Sequence, residues 1–376
     1  MASGAGVSSR RSFLQLSSAA AAVAGLRMVT EPMLAHASLH QAGPVRKGAI
    51  LLNSNENPLG PSAGARDAIA AMIPLGGRYR DELSDELIQL FAQQEGLNPD
   101  YIRLYAGSSE PLHYTVLAYT SAQRSYVTAD PGYEAGVFLS KVSGARVVAV
   151  PLTREYAHDV RAMLAAAPDA GVIYICNPNN PTGTLTPHSE IQYAGENKPK
   201  GAVVLVDEAY LHFSDAPSAI DLVKADKDVI VLRTFSKVYG LAGIRCGFAI
   251  GRPDLLERLD NFGGNFMPIT AVAAAIASLK DPQLIAERKQ INRTVRSQTF
   301  QWLDSNGYNY IASQSNCFML DAKGPAKRII AAMAEQNVMI GRVWPVMPNW
   351  TRITVGTQAE MGQFQLALHK AMSGAR

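Results

Sequence analysis

Six short runs of apolar and β-branched residues, at 102–105, 126–129, 147–150, 172–176, 203–206 and 229–232, constrain the fold more than anything else in the chain. Each is strand-length, reads as buried on both faces, and is separated from the next by a segment long enough for a helix. Parallel strands cannot be joined by tight turns, so this spacing predicts a mostly parallel sheet flanked by helices, an α/β architecture. At 376 residues and 47% hydrophobic, the chain has ample material for such a core.

The loops after these runs say more about function than the runs themselves. In open α/β sheets ligands bind beyond the carboxyl ends of the strands, so such loops are expected to converge on one crevice. They read Gly107-Ser108-Ser109-Glu110, Asp130-Pro131-Gly132-Tyr133, Asn177-Pro178-Asn179-Asn180-Pro181-Thr182-Gly183, Asp207-Glu208-Ala209-Tyr210 and Thr234-Phe235-Ser236-Lys237. The last of them puts a lysine at the mouth of a buried strand. An amine held there, partly desolvated and beside a second cation such as Arg245, is biased toward its neutral form and suited to condense with an aldehyde.

The other loops supply complementary groups. Gly107-Ser108-Ser109 opens a helix, where amides and hydroxyls point at an anion, and Ser236 and Arg245 can complete a cradle for a dianion. No G-x-x-x-x-G-K is present, and Gly240, Gly243 and Gly247 do not space as a dinucleotide fingerprint, so the phosphate belongs to a different cofactor. Asp207, at the end of a buried strand, needs a cation beside it, and a protonated ring nitrogen is a suitable one. Tyr133 offers an aromatic face, while Asn180 and Tyr210 offer hydrogen bonds to a ring hydroxyl. Together these groups describe a pocket for pyridoxal phosphate.

At these residues the chain resembles the fold-type I pyridoxal-phosphate aminotransferases of class I/II, and within them the histidinol-phosphate aminotransferase branch. The likeness is carried in family order by Asn55-Glu56-Asn57-Pro58, Arg78-Tyr79, Gly107-Ser108-Ser109-Glu110, the run from Asn177 to Gly183, Asp207 to Tyr210, Ser236-Lys237, Arg245 and Arg352-Ile353-Thr354. It implies that Lys237 carries the cofactor as an internal aldimine and moves the proton, and that Asp207 keeps the ring nitrogen protonated. Asn180 and Tyr210 are implied to hold the ring oxygen, Tyr133 to stack on the ring, and Ser108, Ser109, Thr234, Ser236 and Arg245 to bind phosphate. Arg352 matches the family position that binds the substrate carboxylate, a bidentate role suited to guanidinium, with Asn55 and Arg342 as further substrate contacts. Arg342 reads either as a reader of a distal anion or as part of a structural ion pair. Tyr79 is implied to reach the phosphate of the neighbouring subunit, which makes the expected assembly a homodimer.

The activity so implied is ping-pong transfer of an amino group between an L-amino acid, or related amine, and a 2-oxo acid. Lyase, decarboxylase or oxidase chemistry on the same fold stays an alternative, because the protein chooses which Cα bond aligns with the π system. Histidinol phosphate as the substrate proper is another. Three departures bear on that choice: the third residue of Gly107-Ser108-Ser109 is not acidic, Arg80 stands where the branch usually has proline, and Pro131-Gly132-Tyr133 lacks the usual central hydroxyl. Trp344, Pro345, Met347, Pro348 and Trp350 near Arg352 read either as walls favouring an apolar or aromatic side chain or as core.

The ends of the chain have a different character. Ser9-Arg10-Arg11-Ser12-Phe13-Leu14, an apolar stretch at 19–26 and Ala35-His36-Ala37 together read as a twin-arginine export segment with its cleavage site, residues 1–37. Export to the periplasm or beyond is the expectation, and a cytoplasmic location if the segment is not used. A large cofactor-binding domain is expected over 66–262, and a small α+β domain from the arm 38–65 with 263–376. Net charge is +3, from 35 basic and 32 acidic residues with no basic run, which implies small-molecule partners rather than nucleic acid, and no stable membrane association once the leader is gone. Cys176, Cys246 and Cys317 read as small buried side chains, and His113, His158, His188 and His212 lack metal-ligand spacing.

Overall fold

In this computed structural model, residues 29–31, 33–34, 47–263 and 266–373 are described. The twin-arginine residues and the cleavage site at 35–37 lie outside them. The strands are β1 Ile50–Leu52, β2 Ile102–Tyr105, β3 Ser125–Asp130, β4 Val147–Pro151, β5 Ala170–Cys176, β6 Val203–Asp207, β7 Val229–Thr234, β8 Gly247–Gly251, β9 Tyr310–Ile311, β10 Cys317–Asp321, β11 Val338–Ile340 and β12 Trp350–Thr354.

Seven of them form one sheet in the order β2-β8-β7-β6-β5-β3-β4. All six expected runs are strands of this sheet, and β3 to β7 pair in parallel. The expectation of a mostly parallel sheet between helices holds, with one addition. β8 was not anticipated, and it pairs antiparallel with both β2 and β7. Its sequence, Gly-Phe-Ala-Ile-Gly, is weak by propensity because glycine adds no side chain to pack. The reason for Gly247 is steric: a Cβ there would lie 2.8 Å from the Arg233 carbonyl oxygen and 2.8 Å from the Gly107 carbonyl carbon. β5, β6, β7 and β8 are wholly buried, whereas the edge strands β2 and β4 are only partly so.

Helices cover the sheet. Ala63–Met72, whose N-cap Ser62 accepts a hydrogen bond from the Ala65 amide, packs against Ile269–Lys280, and Ser109–Tyr119 packs against Ala135–Ser143. A second core lies around the antiparallel sheet β12-β10-β9, where Phe318, Leu320 and Ile353 meet Ile329, Met333, Phe364 and Leu368. The arm strand β1 joins this second unit by parallel pairing with β11. The two cores divide within the long helix Leu284–Ser305, since Leu284 belongs to the first and Val295 and Leu303 to the second. β11 stops at Ile340, where the chain turns at Gly341, φ +147°. No single helix among the described residues is long and apolar enough to cross a membrane.

Candidate active site

Parallel pairing of β5, β6 and β7 brings the ends of three strands to one place. Asp207 closes β6 opposite Cys176 of β5 and Leu232 of β7, and Lys237 comes three residues after β7 ends. An acid at a strand end and an amine in the short turn after the next strand thus stand together at the carboxyl edge of the sheet. With Ser108, Ser109, Tyr133, Asn180, Tyr210, Thr234, Ser236 and Arg245 they line a cavity of about 270 Å³.

Asp207 is buried with two hydrogen bonds. Its Oδ2 accepts from the Tyr174 hydroxyl at 2.9 Å and its Oδ1 from the Ala209 amide at 3.1 Å. Burial raises its carboxyl above the usual range, and those two donors only partly oppose the rise. Tyr174 was not anticipated from sequence, because only the register of β5 against β6 sets its ring beneath the acid. Among the described residues no cation hydrogen-bonds Asp207, so its carboxylate is suited to meet one brought by a ligand.

The Lys237 amine donates to the Asn55 carbonyl at 3.1 Å and lies 5.3 Å from the centroid of the Tyr210 ring. Burial depresses its pKa, Glu31 pulls the other way, and Arg352 adds to the depression. The neighbouring cation is therefore Arg352 rather than Arg245. Arg245 instead donates to Ser236 Oγ at 3.2 Å and to the Ala106 and Ala242 carbonyls at 2.9 and 3.0 Å.

The anion cradle is assembled around that guanidinium. Thr234 Oγ1 donates to Ser236 Oγ at 3.0 Å and accepts from the Ser236 amide at 3.1 Å, so the two hydroxyls are held side by side. Ser108 and Ser109 begin the helix Ser109–Tyr119, and the Ser108 side chain makes no capping bond of its own. Gly107 has φ +90°, and a Cβ on it would lie 2.2 Å from Arg245 Nη2, so only glycine lets this turn close over the guanidinium. Glu110 Oε2 accepts from the Ala106 amide at 3.2 Å and ties the turn together behind the cradle. Hydroxyls, helix amides and one arginine make a donor set that fits a phosphate dianion.

Asn55 lies in the left-handed region, φ +53°, which turns its side chain inward. Its Nδ2 donates to the Tyr210 hydroxyl at 3.0 Å, while Asn180 Nδ2 approaches the same oxygen at 3.4 Å. Tyr210 accepts both and keeps its own proton to donate. Burial drives its pKa well up, and that of Tyr133 likewise, so both remain neutral phenols.

The second unit contributes Arg352 from β12, which is 0% exposed. Its Nη1 donates to Asn180 Oδ1 at 2.8 Å, and its Nη2 donates to the Asn53 carbonyl and to Glu31 Oε1, each at 2.6 Å. Asn180 Nδ2 donates to the other oxygen of Glu31 at 3.3 Å. Arg342 pairs with Glu134 and lies 4.0 Å from Glu31, which favours the ion-pair reading of that residue. Trp344 is core: it packs with Ile311 and Met319, donates Nε1 to the Gly132 carbonyl at 2.8 Å, and sits beneath both guanidinium groups. Met347 and Trp350 pack against the same cluster, so these residues support the arginines from behind rather than walling the cavity.

Glu31 was not anticipated as a site residue, since it falls within the segment read as a leader. One signal stood in the sequence: it is the only acidic residue before Glu56. Tyr79 is the sequence candidate that the fold keeps apart, 73% exposed and stacked on Phe266 at 4.7 Å. The three cysteines are buried and free.

A sheet with a lysine and an acid at adjacent strand ends, an anion cradle beside them and an arginine from a second unit defines an α/β enzyme of the pyridoxal-phosphate type. The Aminotransferase class I and II family model matches residues 47–367, and the chain belongs to that family. It is 34% identical over 335 residues to Histidinol-phosphate aminotransferase 1 of Dechloromonas aromatica, covering 88% of this chain and 91% of that protein. It is 35% identical over 335 residues to the Aromatic amino acid aminotransferase of Cutibacterium acnes, covering 87% and 94%. Among solved structures, histidinol-phosphate aminotransferase from Sinorhizobium meliloti in complex with pyridoxal-5'-phosphate superposes with a TM-score of 0.84 at 27% identity, covering 94% of this chain and 97% of that one.

Proposed function

We propose that this chain is a pyridoxal-phosphate-dependent aminotransferase that exchanges an amino group between an L-amino acid with an apolar or aromatic side chain and a 2-oxo acid, in two half-reactions. The observation that carries it is the pairing of a buried Lys237 with a buried Asp207 across a cavity that ends in an anion cradle. Bound there, pyridoxal phosphate supplies an electron-accepting ring for the charge left when a Cα–H bond breaks. The protein's part is set by its own groups. Ser108, Ser109, Thr234, Ser236 and Arg245 hold the phosphate, and Tyr133 covers a ring face. Asp207 holds a proton at the ring nitrogen, and Asn180 and Tyr210 hydrogen-bond the ring oxygen. Arg352 orients the substrate carboxylate, and Lys237, its amine biased toward neutrality by burial, moves the proton at Cα.

Support for an apolar or aromatic side chain comes from Arg342, which is engaged with Glu134 rather than left to read a distal phosphate, and from the apolar walls Leu112, Ala209 and Ala242. The test is a visible spectrum of the cofactor-loaded protein during addition of single L-amino acids. Bleaching of the visible band, with a 2-oxo acid released, supports transamination. A band that persists while ammonia or carbon dioxide appears would overturn it.

Two further readings belong with this function. A homodimer, with Tyr79 reaching the neighbouring site, is supported by the exposed apolar group Ile73, Tyr79 and Phe266, and sedimentation equilibrium at micromolar concentration tests it. Export through the twin-arginine route is supported by Arg10-Arg11 and Ala35-His36-Ala37. N-terminal sequencing of protein recovered outside the cytoplasm tests that, with Ser38 as the expected first residue.

A further inference from the structure

Glu31 occupies the position that the proposed reaction reserves for its substrate. One of its carboxylate oxygens accepts from Arg352 Nη2 at 2.6 Å and the other from Asn180 Nδ2 at 3.3 Å. That is a two-point grip on a carboxylate, delivered by a guanidinium and a side-chain amide that Arg352 Nη1 and Asn180 Oδ1 lock together at 2.8 Å. The carboxylate is buried, shares the cavity with Lys237, and is close enough to oppose the depression of that amine.

Glu31 does not reach the site by chance of a long side chain. The turn that carries it is closed by the Leu34 amide donating to the Thr30 carbonyl at 3.1 Å. Val29 and Leu34 pack on the first core, and the buried His113 ring hydrogen-bonds the Val29 backbone. The segment is thus seated by its own packing on either side of the acid. Burial by itself would push the Glu31 carboxyl up, yet Arg352 and Arg342 outweigh it and hold the group ionised.

Resting on the reading of Arg352 as the substrate-carboxylate group, we propose that Glu31 is an internal competitor for the substrate. Two carboxylates cannot share one guanidinium edge in a buried site, so substrate binding is an exchange in which the incoming carboxylate displaces Glu31. The exchange has a physical rationale. Arg352 is fully buried, and a buried guanidinium without an anion is costly, so a resident carboxylate stabilises the free protein. The consequence is a weaker apparent affinity, reduced by the fraction of molecules in which Glu31 has withdrawn. Glu31 also lies before Ala37, so cleavage there would release a chain from which the competitor is gone.

The test uses the full-length, cofactor-loaded protein and 3-phenylpropionate, a carboxylate with no amino or keto group to react. Its dissociation constant is measured by calorimetry for the parent, Glu31→Gln and Glu31→Ala. Replacing a charge-assisted contact by a neutral or absent one is expected to tighten binding by roughly tenfold or more. Glu31→Ala covers the case in which the glutamine amide keeps the Arg352 contact, and tightening in either variant supports the proposal. Unchanged or weaker binding in both overturns it. Arg352→Gln, made in the parent and in the Glu31→Gln background, is expected to abolish binding. If it does so while the Glu31 variants bind as the parent does, only the competitor proposal fails. If it leaves binding intact, the reading of Arg352 fails and the competitor proposal with it.

Discussion

Replacing Tyr174 by phenylalanine removes one oxygen from the interior and nothing else, which makes it a clean probe of how the acid under the cofactor site is held. Asp207 is 4% exposed and has two donors, the Tyr174 hydroxyl at 2.9 Å and the Ala209 amide at 3.1 Å. A hydrogen bond to a buried charge contributes about 1.5–3 kcal/mol, and one between neutral partners about 1 kcal/mol. Tyr174→Phe should therefore cost the apo protein about 2 kcal/mol at neutral pH, measured as a fall in urea midpoint with unchanged slope. In an Asp207→Asn background the same change should cost only about 1 kcal/mol, because the amide carries no charge. The coupling between the two substitutions is the quantity of interest, and a double-mutant cycle isolates it. The sign with pH is set as well. The folded pKa of Asp207 is raised, so its contribution favours folding below the unfolded value and is lost as pH rises through the folded one. Loss of the Tyr174 donor raises the folded pKa further and enlarges the deficit at pH 7. Strict additivity of the two substitutions would refute the argument, since it would mean that the hydroxyl does not stabilise the charge.

Lys237→Ala should abolish amino-group transfer while the anion cradle still takes up cofactor, read by equilibrium dialysis beside an activity assay. Gly107→Ala should weaken cofactor retention by roughly tenfold or more, since its Cβ would fall 2.2 Å from Arg245 Nη2 at φ +90°. Gly60→Ala, at φ +62° in open space, should cost only about 1 kcal/mol of stability and leave retention unchanged. Arg233→Met should cost about 3 kcal/mol, because it removes the cation that meets the buried Glu208 carboxylate at 2.7 Å and leaves it only the Ser218 hydroxyl and the Ala219 amide as donors. Buried His158 is held down to about 4 from an ordinary 6.5, so the stability it contributes is complete above 6.5 and lost as pH falls through about 4. His158→Asn should reduce by about one the number of protons taken up on acid unfolding, measured from the slope of stability against pH.

The sheet was legible because its central parallel strands are buried on both faces and announce themselves as apolar runs, and because chain order leaves a parallel sheet few ways to be wound. The loops were legible for a related reason: a lysine, an acid and a run of hydroxyls placed at successive strand ends have one plausible meeting point. Strand β8 escaped because Gly247 serves close approach to Gly107 and Arg233, a demand that weakens the local strand signal. Tyr174 escaped because its partner is set by the register between β5 and β6, and nothing in a run of apolar residues marks which side chain lies under Asp207.

What the sequence by itself determined, then, is the parallel α/β sheet and the identity of most groups at its carboxyl edge, since both arise from local patterns of burial and loop chemistry. Which cation acts on Lys237 was decided by tertiary structure, because it depends on how β12 of the second unit is set against β7 of the first. So was the use of Arg342, which is tied to Glu134 across more than half the chain. Glu31 shows the division most clearly. Its neighbours in sequence read as a leader, while its neighbours in space are Arg352 and Asn180, and only a folded chain can bring a carboxylate over distances of that kind to the guanidinium that needs one.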